Sequence, residues 1–311
     1  MSERSDAIES GWVPSTPGEA RRSHLESAAW RRALVWGLRN VPVRLQQATM
    51  PLWSAFFYAQ VPHVRRAIEL NLTRLLGVSG ARRQLLAFRT FTNYCHCVAD
   101  AYRLHAGAPL SLPVETHGLD HLRSALSEGH GVILATGHLG NWQLGPYLLG
   151  EQELPPVLVV MNREPDQGAQ QVEAGLRDQR WRIAYTNHSP MLGLELRAAL
   201  ERGELVGLQM DRPPAAEGGL RVRCAGGEAL FAAGPAQLAR SCGVAVLPVF
   251  FPRRGATVRI LIEEPLRSRR TDDRQADLLD LTQRLADVYG RLIRTYPDQW
   301  FNFYDFWGET R

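Results

Sequence analysis

The sequence predicts an α/β fold: a largely parallel sheet flanked by helices, preceded by a helical, membrane-facing N-terminal segment. Three observations carry this. From residue 110 onward, short Val/Ile/Leu-rich runs alternate with stretches of helical period, the rhythm of a parallel sheet covered on both faces. Before that point, aromatic and aliphatic residues alternate with arginine clusters instead. The length, 311 residues, is enough to bury a full core in one large domain or two modest ones.

In chain order, residues 1–24 are rich in Ser, Glu, Gly and Pro without period and read as a disordered lead-in. Residues 25–109 form an Arg-rich helical segment. Its apolar positions include Trp30, Leu34, Leu38, Leu52, Trp53, Phe56 and Phe57, and Pro42, Pro51 and Pro62 are expected to break it into short helices. Apolar faces flanked by Arg, with Trp at the boundary, suit helices lying in a membrane interface. They equally suit a helical cap on the protein's own core, and both can hold at once. "RRQLLAFRTFTNYCHCVADAYRLH" continues the helical pattern to about residue 105.

The α/β core is assigned to residues 110–311. "GVILATG", "PPVLVVM", "ELVGLQMD", "GVAVLPVFF" and "TVRILIEEPL" are the expected strands. "DHLRSALSEG", "PDQGAQQVEAGLRDQR", "MLGLELRAALERG", "GPAQLARSCG" and a long stretch over 273–296 are the expected helices, several stopping at Gly. "GAP" at 107–109 and "PAAEGG" at 214–219 read as plain turns.

Charge is unevenly placed. All 36 basic residues are Arg. Between Ala20 and His105 there are 13 Arg against Glu26, Glu69 and Asp100, a local balance of +10; the remainder carries −6 to reach the net +4. An anionic partner for the N-terminal part follows: lipid head groups, an acidic carrier protein or nucleic acid. Nucleic acid fits least, because the Arg clusters lie among aliphatic and aromatic residues and no docking motif accompanies them.

Other classes find little support. No secretory signal opens the chain, and no apolar run reaches bilayer-spanning length. Cys95, Cys97, Cys224 and Cys242 form no C-x-x-C pair and read as reduced thiols of a cytosolic chain. No phosphate-binding loop, dinucleotide fingerprint or nucleophile elbow occurs, and the histidines lack paired metal-ligand spacing. Neither metal nor cofactor is expected.

The chemistry gathers at "GVILATGHLGNWQLGPYLLG", residues 131–150, where an apolar strand ends at His138. Active groups in open α/β sheets collect where strands end and helices begin. A His there can serve as general base, with backbone N–H groups of the following turn facing a developing oxyanion. A lone loop His is more often a satisfied, half-buried side chain, so context must decide.

Five blocks supply the context: "RRAIELNLTRLLG", "GLDHLRSALSEGHGVILATGHLGNWQL", "LRAALERGELVGLQMDR", "GPAQLARSCGVAVLPVFFPR" and "YPDQWFNFYDFW". In that order, over residues 65–307, the chain resembles the lipid A biosynthesis lauroyl/myristoyl acyltransferases, a branch of the lysophospholipid acyltransferase superfamily. The resemblance implies a glycerolipid acyltransferase-like core and a family motif of His, four residues, then Asp or Glu. The acid orients an imidazole that takes a proton from an acceptor hydroxyl attacking an acyl thioester.

This chain departs from that motif, because Gln143 stands where the acid belongs. An amide can hold a ring N–H and fix its tautomer but supplies no charge, a loss that reaches about four orders of magnitude in a related triad. Three outcomes follow: slow catalysis on His138 alone, a substitute carboxylate, or a degenerate site. Asp211, at the end of "ELVGLQMD", is the candidate substitute, since a parallel strand would deliver it to the same sheet edge.

Around this catalytic set of His138, Gln143 and Asp211, Asn141 is expected to cap a helix or brace the loop, and Trp142 to pack under it. Arg163 would reach a phosphate or a carrier's phosphopantetheine, or sit in solvent. Arg212 and Asp211 would serve substrate or simply pair with each other to close a turn. Gly234, ahead of Pro235, opens a helix whose free N–H groups would face a ligand.

The resemblance implies transfer of a fatty acyl chain from an acyl carrier protein or coenzyme A thioester to a hydroxyl of a membrane glycolipid, lipid A-like, at the cytoplasmic face of the bacterial inner membrane. Two alternatives stand beside it. One is a catalytically impaired lipid-binding homologue; the other is an acyltransferase for a glycerolipid or secondary-metabolite acceptor. Oligomeric state is not legible.

Overall fold

The computed structural model describes residues 36–105, 112–150, 152–161, 181–186, 191–212 and 219–308. The expected lead-in over 1–24 and the helix expected at 165–180 lie outside these residues, as does the boundary at 109/110.

After a helical stretch over 36–40 come three helices: α1 (Val43–Gln60), α2 (Pro62–Leu76) and α3 (Gly80–His105). Pro42 precedes α1, and Pro62 occupies the first turn of α2, where a missing N–H costs nothing. Pro51, expected as a breaker, instead lies inside α1. It sits at an exposed position, where water can serve the backbone carbonyl that its ring deprives of a donor. Val64, Ile68 and Leu72 of α2 recur every four residues and pack on Ala87 and Phe91 of α3. Gly77 ends α2 in the left-handed conformation (φ 67°), its N–H donating to the Thr73 carbonyl.

An eight-stranded sheet follows among the described residues. Its strands are β1 (Val114–His117), β2 (Val132–Thr136), β3 (Val157–Met161), β4 (Trp181–Tyr185), β5 (Leu205–Gln209), β8 (Val246–Phe250), β9 (Arg253–Arg254) and β10 (Thr257–Ile262). The order is β1-β10-β8-β2-β5-β3-β4, with β9 paired to β10. β8, β2, β5, β3 and β4 run parallel, while β10 turns antiparallel to β8 and carries β1 with it. The parallel sheet expected from the apolar runs is therefore its centre.

A separate antiparallel hairpin, β6 (Gly219–Cys224) with β7 (Gly227–Ala232), turns on Ala225 and Gly226, both at positive φ. The remaining helices are α4 (Leu119–Leu126), α5 (Gly145–Gly150), α6 (Leu192–Glu201), α7 (Gly234–Cys242) and α8 (Arg274–Thr295). The Asp273 carboxylate caps α8 by accepting from the Ala276 N–H at 2.9 Å.

Both sheet faces are covered, and side-chain alternation divides the core between them. Ile133 and Ala135 face one cluster, with Leu196, Leu238, Leu285 and Tyr289 from α6, α7 and α8. Val132 and Leu134 face another, with Leu122 from α4 and Leu148 and Leu149 from α5. β8 is buried at all five positions, as a central parallel strand should be.

Candidate active site

β2 and β5 end side by side, with Thr136 registered against Gln209. Their next residues therefore leave the sheet at one edge, and His138 and Asp211 meet there. The Asp211 carboxylate reaches His138 twice: Oδ1 lies 2.9 Å from the ring Nδ1, and Oδ2 accepts the His138 backbone N–H at 2.9 Å. Tyr289, from α8 below, donates its hydroxyl to the same Oδ2 at 2.6 Å. Asp211 is 0% exposed.

Burial by itself would raise the Asp211 carboxyl. The adjacent His138 ring and its hydrogen bond, with Arg212 and the Tyr289 hydroxyl, overcome that and hold it well below the usual carboxylate range. Tyr289 responds in the opposite sense. Burial and the neighbouring carboxylate push its hydroxyl well above 10, so it stays a donor.

The turn after His138 is tightly held. Gly140 takes φ 70°, and a Cβ there would stand 2.2 Å from the Phe251 carbonyl oxygen, so only glycine fits. The Gly140 N–H donates to the Gln299 carbonyl, the Asn141 N–H to the Phe251 carbonyl and the Phe301 N–H to the His138 carbonyl. Asn141 braces this loop rather than capping a helix: it makes no side-chain cap, and its Nδ2 donates to Asp100 Oδ2 at 3.1 Å. Asp100, buried on α3, also receives Arg253 at 2.8 Å and Arg103 at 3.3 Å. Trp142 sets its ring edge-on to His138, centroids 4.8 Å apart, and leans on Phe301.

Beyond Trp142 runs an apolar groove of about 190 Å³ between α5 and the sheet, on the face that carries Leu134. His138 is 7% exposed and does not itself line the groove; its ring abuts Trp142, which does. Gln143 is exposed and lines the same groove; Nδ1 of His138 is held by Asp211, so tautomer fixing does not fall to the amide.

The other expected site residues divide. Arg212 interacts with Asp211 through charge, and its guanidinium donates to the Phe301 carbonyl at 2.8 Å and lies over the Tyr304 ring. Gly234 opens α7, whose buried residues Ala236, Leu238 and Ala239 belong to the core on the face opposite the groove, so it is not brought to the groove wall. Arg163 lies outside the described residues. Tyr289 and Asp100 escaped sequence reasoning. Each sits within a helix pattern that periodicity assigns to core or surface, and only the fold shows what they touch.

A buried His–Asp pair at the end of parallel strands, beside an apolar groove, is an arrangement that can support proton transfer next to an apolar ligand. Residues 17–308 match the model of the bacterial lipid A biosynthesis acyltransferases, and the chain belongs to that family. It is similar to the phosphatidylinositol mannoside acyltransferase of Mycolicibacterium smegmatis, 28% identical over 253 residues covering 75% of this chain and 76% of that protein. The Mycobacterium tuberculosis protein of the same name is 27% identical over 246 residues, covering 75% of this chain and 74% of its own length.

Proposed function

We propose that this acyltransferase carries a fatty acyl chain from a carrier-protein or coenzyme A thioester to a hydroxyl of a membrane glycolipid, with His138 as general base. The single observation that carries the mechanism is the Asp211 Oδ1 to His138 Nδ1 contact at 2.9 Å. With Nδ1–H held by a charged acceptor, Nε2 is the basic nitrogen. It removes the acceptor's hydroxyl proton as the oxygen attacks the thioester carbon. The C–O bond forms, the tetrahedral oxyanion collapses, the C–S bond breaks, and the imidazolium returns its proton to the leaving thiolate. Asp211 keeps its charge and stabilises the imidazolium throughout, the part that the family motif gives to the residue at position 143.

The relatives' names favour a glycosylated phosphoinositide acceptor over a lipid A precursor. Attachment to the cytoplasmic face of a membrane through the N-terminal helices completes the reading. It is supported by the exposure of Leu52, Trp53 and Phe56 on α1. No helix among the described residues is long and apolar enough to cross a bilayer.

The test is acyl transfer by purified full-length chain, with palmitoyl thioesters of coenzyme A and of acyl carrier protein. Phosphatidylinositol mannoside and a lipid A precursor are offered as separate acceptors, and products are read by mass spectrometry. His138→Ala is expected to lower turnover by about four orders of magnitude. Equal rates for that variant and wild type would remove the base assignment. Wild-type inactivity toward every acceptor would favour the lipid-binding homologue.

A further inference from the structure

We propose that Gly207 sets the acyl-chain selectivity of this enzyme, by leaving out the one side chain that would otherwise fill the middle of the groove floor. The inference rests on reading the groove as the acyl site and asks which residue decides what fits.

The floor is built in rows by strand register. Next to the catalytic edge, Thr136 stands against Gln209. One row down, Leu134 pairs with Gly207, Gly207 with Val159, and Val159 with Ile183. At the far end Val157 pairs with Trp181. All of these residues line the groove, and its side-chain amides and hydroxyl, on Thr136, Gln143 and Gln209, belong to the end near His138. Polarity therefore falls with distance from the imidazole, which orients an acyl ester with its thioester at the edge and its tail toward Trp181. From β2 to β4 the floor spans three inter-strand spacings, about 14 Å.

In the middle row Leu134, Val159 and Ile183 raise branched walls, and Gly207 raises none. A glycine inside a parallel strand forgoes packing and weakens the strand relative to alanine, so it calls for a reason. The usual reasons are missing. Gly207 is not among the positive-φ glycines, and the nearest atoms to a Cβ added there would be Val159 Cγ2 at 3.8 Å, Leu158 O at 3.9 Å and Val159 Cα at 3.9 Å, all ordinary contacts. Gly137, Gly140 and Gly145 differ, since a Cβ would come within 2.2–2.7 Å of a neighbour at each. What a side chain at 207 would occupy is the groove itself.

The experiment uses the full chain and two probes, palmitoyl and octanoyl thioesters of coenzyme A, or of acyl carrier protein if that is the donor bound. Affinity and transfer rate are measured for wild type, Gly207→Ala and Gly207→Val. The valine variant should melt at or above the wild-type temperature, because a β-branched residue suits the strand. It should lose about tenfold in palmitoyl affinity, the lower range of overpacking costs, with octanoyl binding nearly unchanged. Alanine should fall between.

Equal losses for both chain lengths, or none, would overturn the proposal. Val159→Trp separates this failure from that of the underlying reading, with Ile183→Trp in reserve should it misfold. If the tryptophan blocks palmitoyl binding while Gly207→Val does not, the groove holds the chain and Gly207 does not choose it. If neither variant alters binding, the groove is not the acyl site, and both inferences fall.

Discussion

Asp211 collects three donors on two oxygens: the His138 ring, the His138 backbone N–H and the Tyr289 hydroxyl. A carboxylate so served can stay ionised without water. Its folded pKa is depressed, so the unfolded chain binds the proton more readily in the window between the two values. The stability that the ionised group contributes is fully present above the unfolded value of about 3.9 and is lost as pH falls through the folded one. Comparing wild type with Asp211→Asn by denaturant titration, the gap should stay constant from neutral pH to about 4 and narrow only below it. A gap that shrinks already near pH 6 would mean the charge is not held by these donors. Tyr289→Phe removes one donor without changing shape. Expected is about 1 kcal/mol of stability and about tenfold in kcat at unchanged KM, with the acid limb of the pH profile moved upward. A loss of stability alone would make Tyr289 merely structural. At this scale His138 and Asp211 were legible, because parallel strands deliver their next residues to one edge. Tyr289 was not: in "RLADVYGRLI" it falls on the apolar face of α8, where an aromatic normally means packing.

The turn that carries His138 owes its shape to elements far away in sequence. The chain after α8 supplies the Gln299 carbonyl to Gly140 and the Phe301 N–H to His138. The Gln299 side chain clasps the Arg253 backbone in both directions, at 2.7 Å each. Asn71 of α2 donates to the carbonyls of Asn302 and Tyr304, fastening the same segment from the other side. Asp100 ties α3 to the loop through Asn141 and to β9 through Arg253, while Arg103 passes the connection on to Gln46 of α1. Removing the carboxylate in Asp100→Ala leaves two nearly buried guanidinium groups and an amide without their acceptor. A cost of about 3 kcal/mol is expected, seen as a lower denaturation midpoint. Asp100→Asn, which keeps the acceptor oxygen, should recover part of it, and an alanine variant as stable as wild type would show the hub to be dispensable. These ties explain why "YPDQWFNFYDFW" is a motif at all, although nothing in its spacing says what it touches. Elements were legible where burial on both faces made a continuous apolar run, as in β2, β3, β5 and β8. β1 was missed because "VETH" is a polar, largely exposed strand at the sheet end. The β6–β7 hairpin was missed because "GLRVRC" alternates too briefly to stand out and its turn is Ala-Gly rather than Asn-Gly.

Across the whole molecule, charge and exposed apolar surface coincide. The +10 balance of residues 20–105 falls on the same segment as α1, whose Leu52, Trp53 and Phe56 are 72%, 51% and 58% exposed. The buried positions of α1 are polar, Gln46 and Ser54, so this helix turns its greasier side outward, the inverse of a core-packed helix. Gln46 is satisfied inside by the Leu38 and Val41 carbonyls and by Arg103, which fixes that orientation. A bilayer rich in anionic lipid would offer both complements: acyl tails for the aromatic ridge and head groups for Arg44 and Arg66, which are exposed on α1 and α2. Each basic residue near such a surface contributes about 1 kcal/mol, screened within a Debye length. Flotation with phosphatidylglycerol vesicles should therefore recover the protein at low salt and progressively less as salt rises. The double variant Leu52→Glu/Trp53→Glu, tolerant of exposure, should abolish recovery while leaving the melting temperature unchanged. Binding that ignores both salt and the glutamates would place the membrane contact elsewhere. If instead the wild type sediments as a dimer that the glutamates dissociate, the ridge is covered by a second copy rather than by lipid. The first outcome would fit the proposed reaction, in which a membrane glycolipid offers its hydroxyl to His138; α1 is joined to the His138 loop through Gln46, Arg103, Asp100 and Asn141.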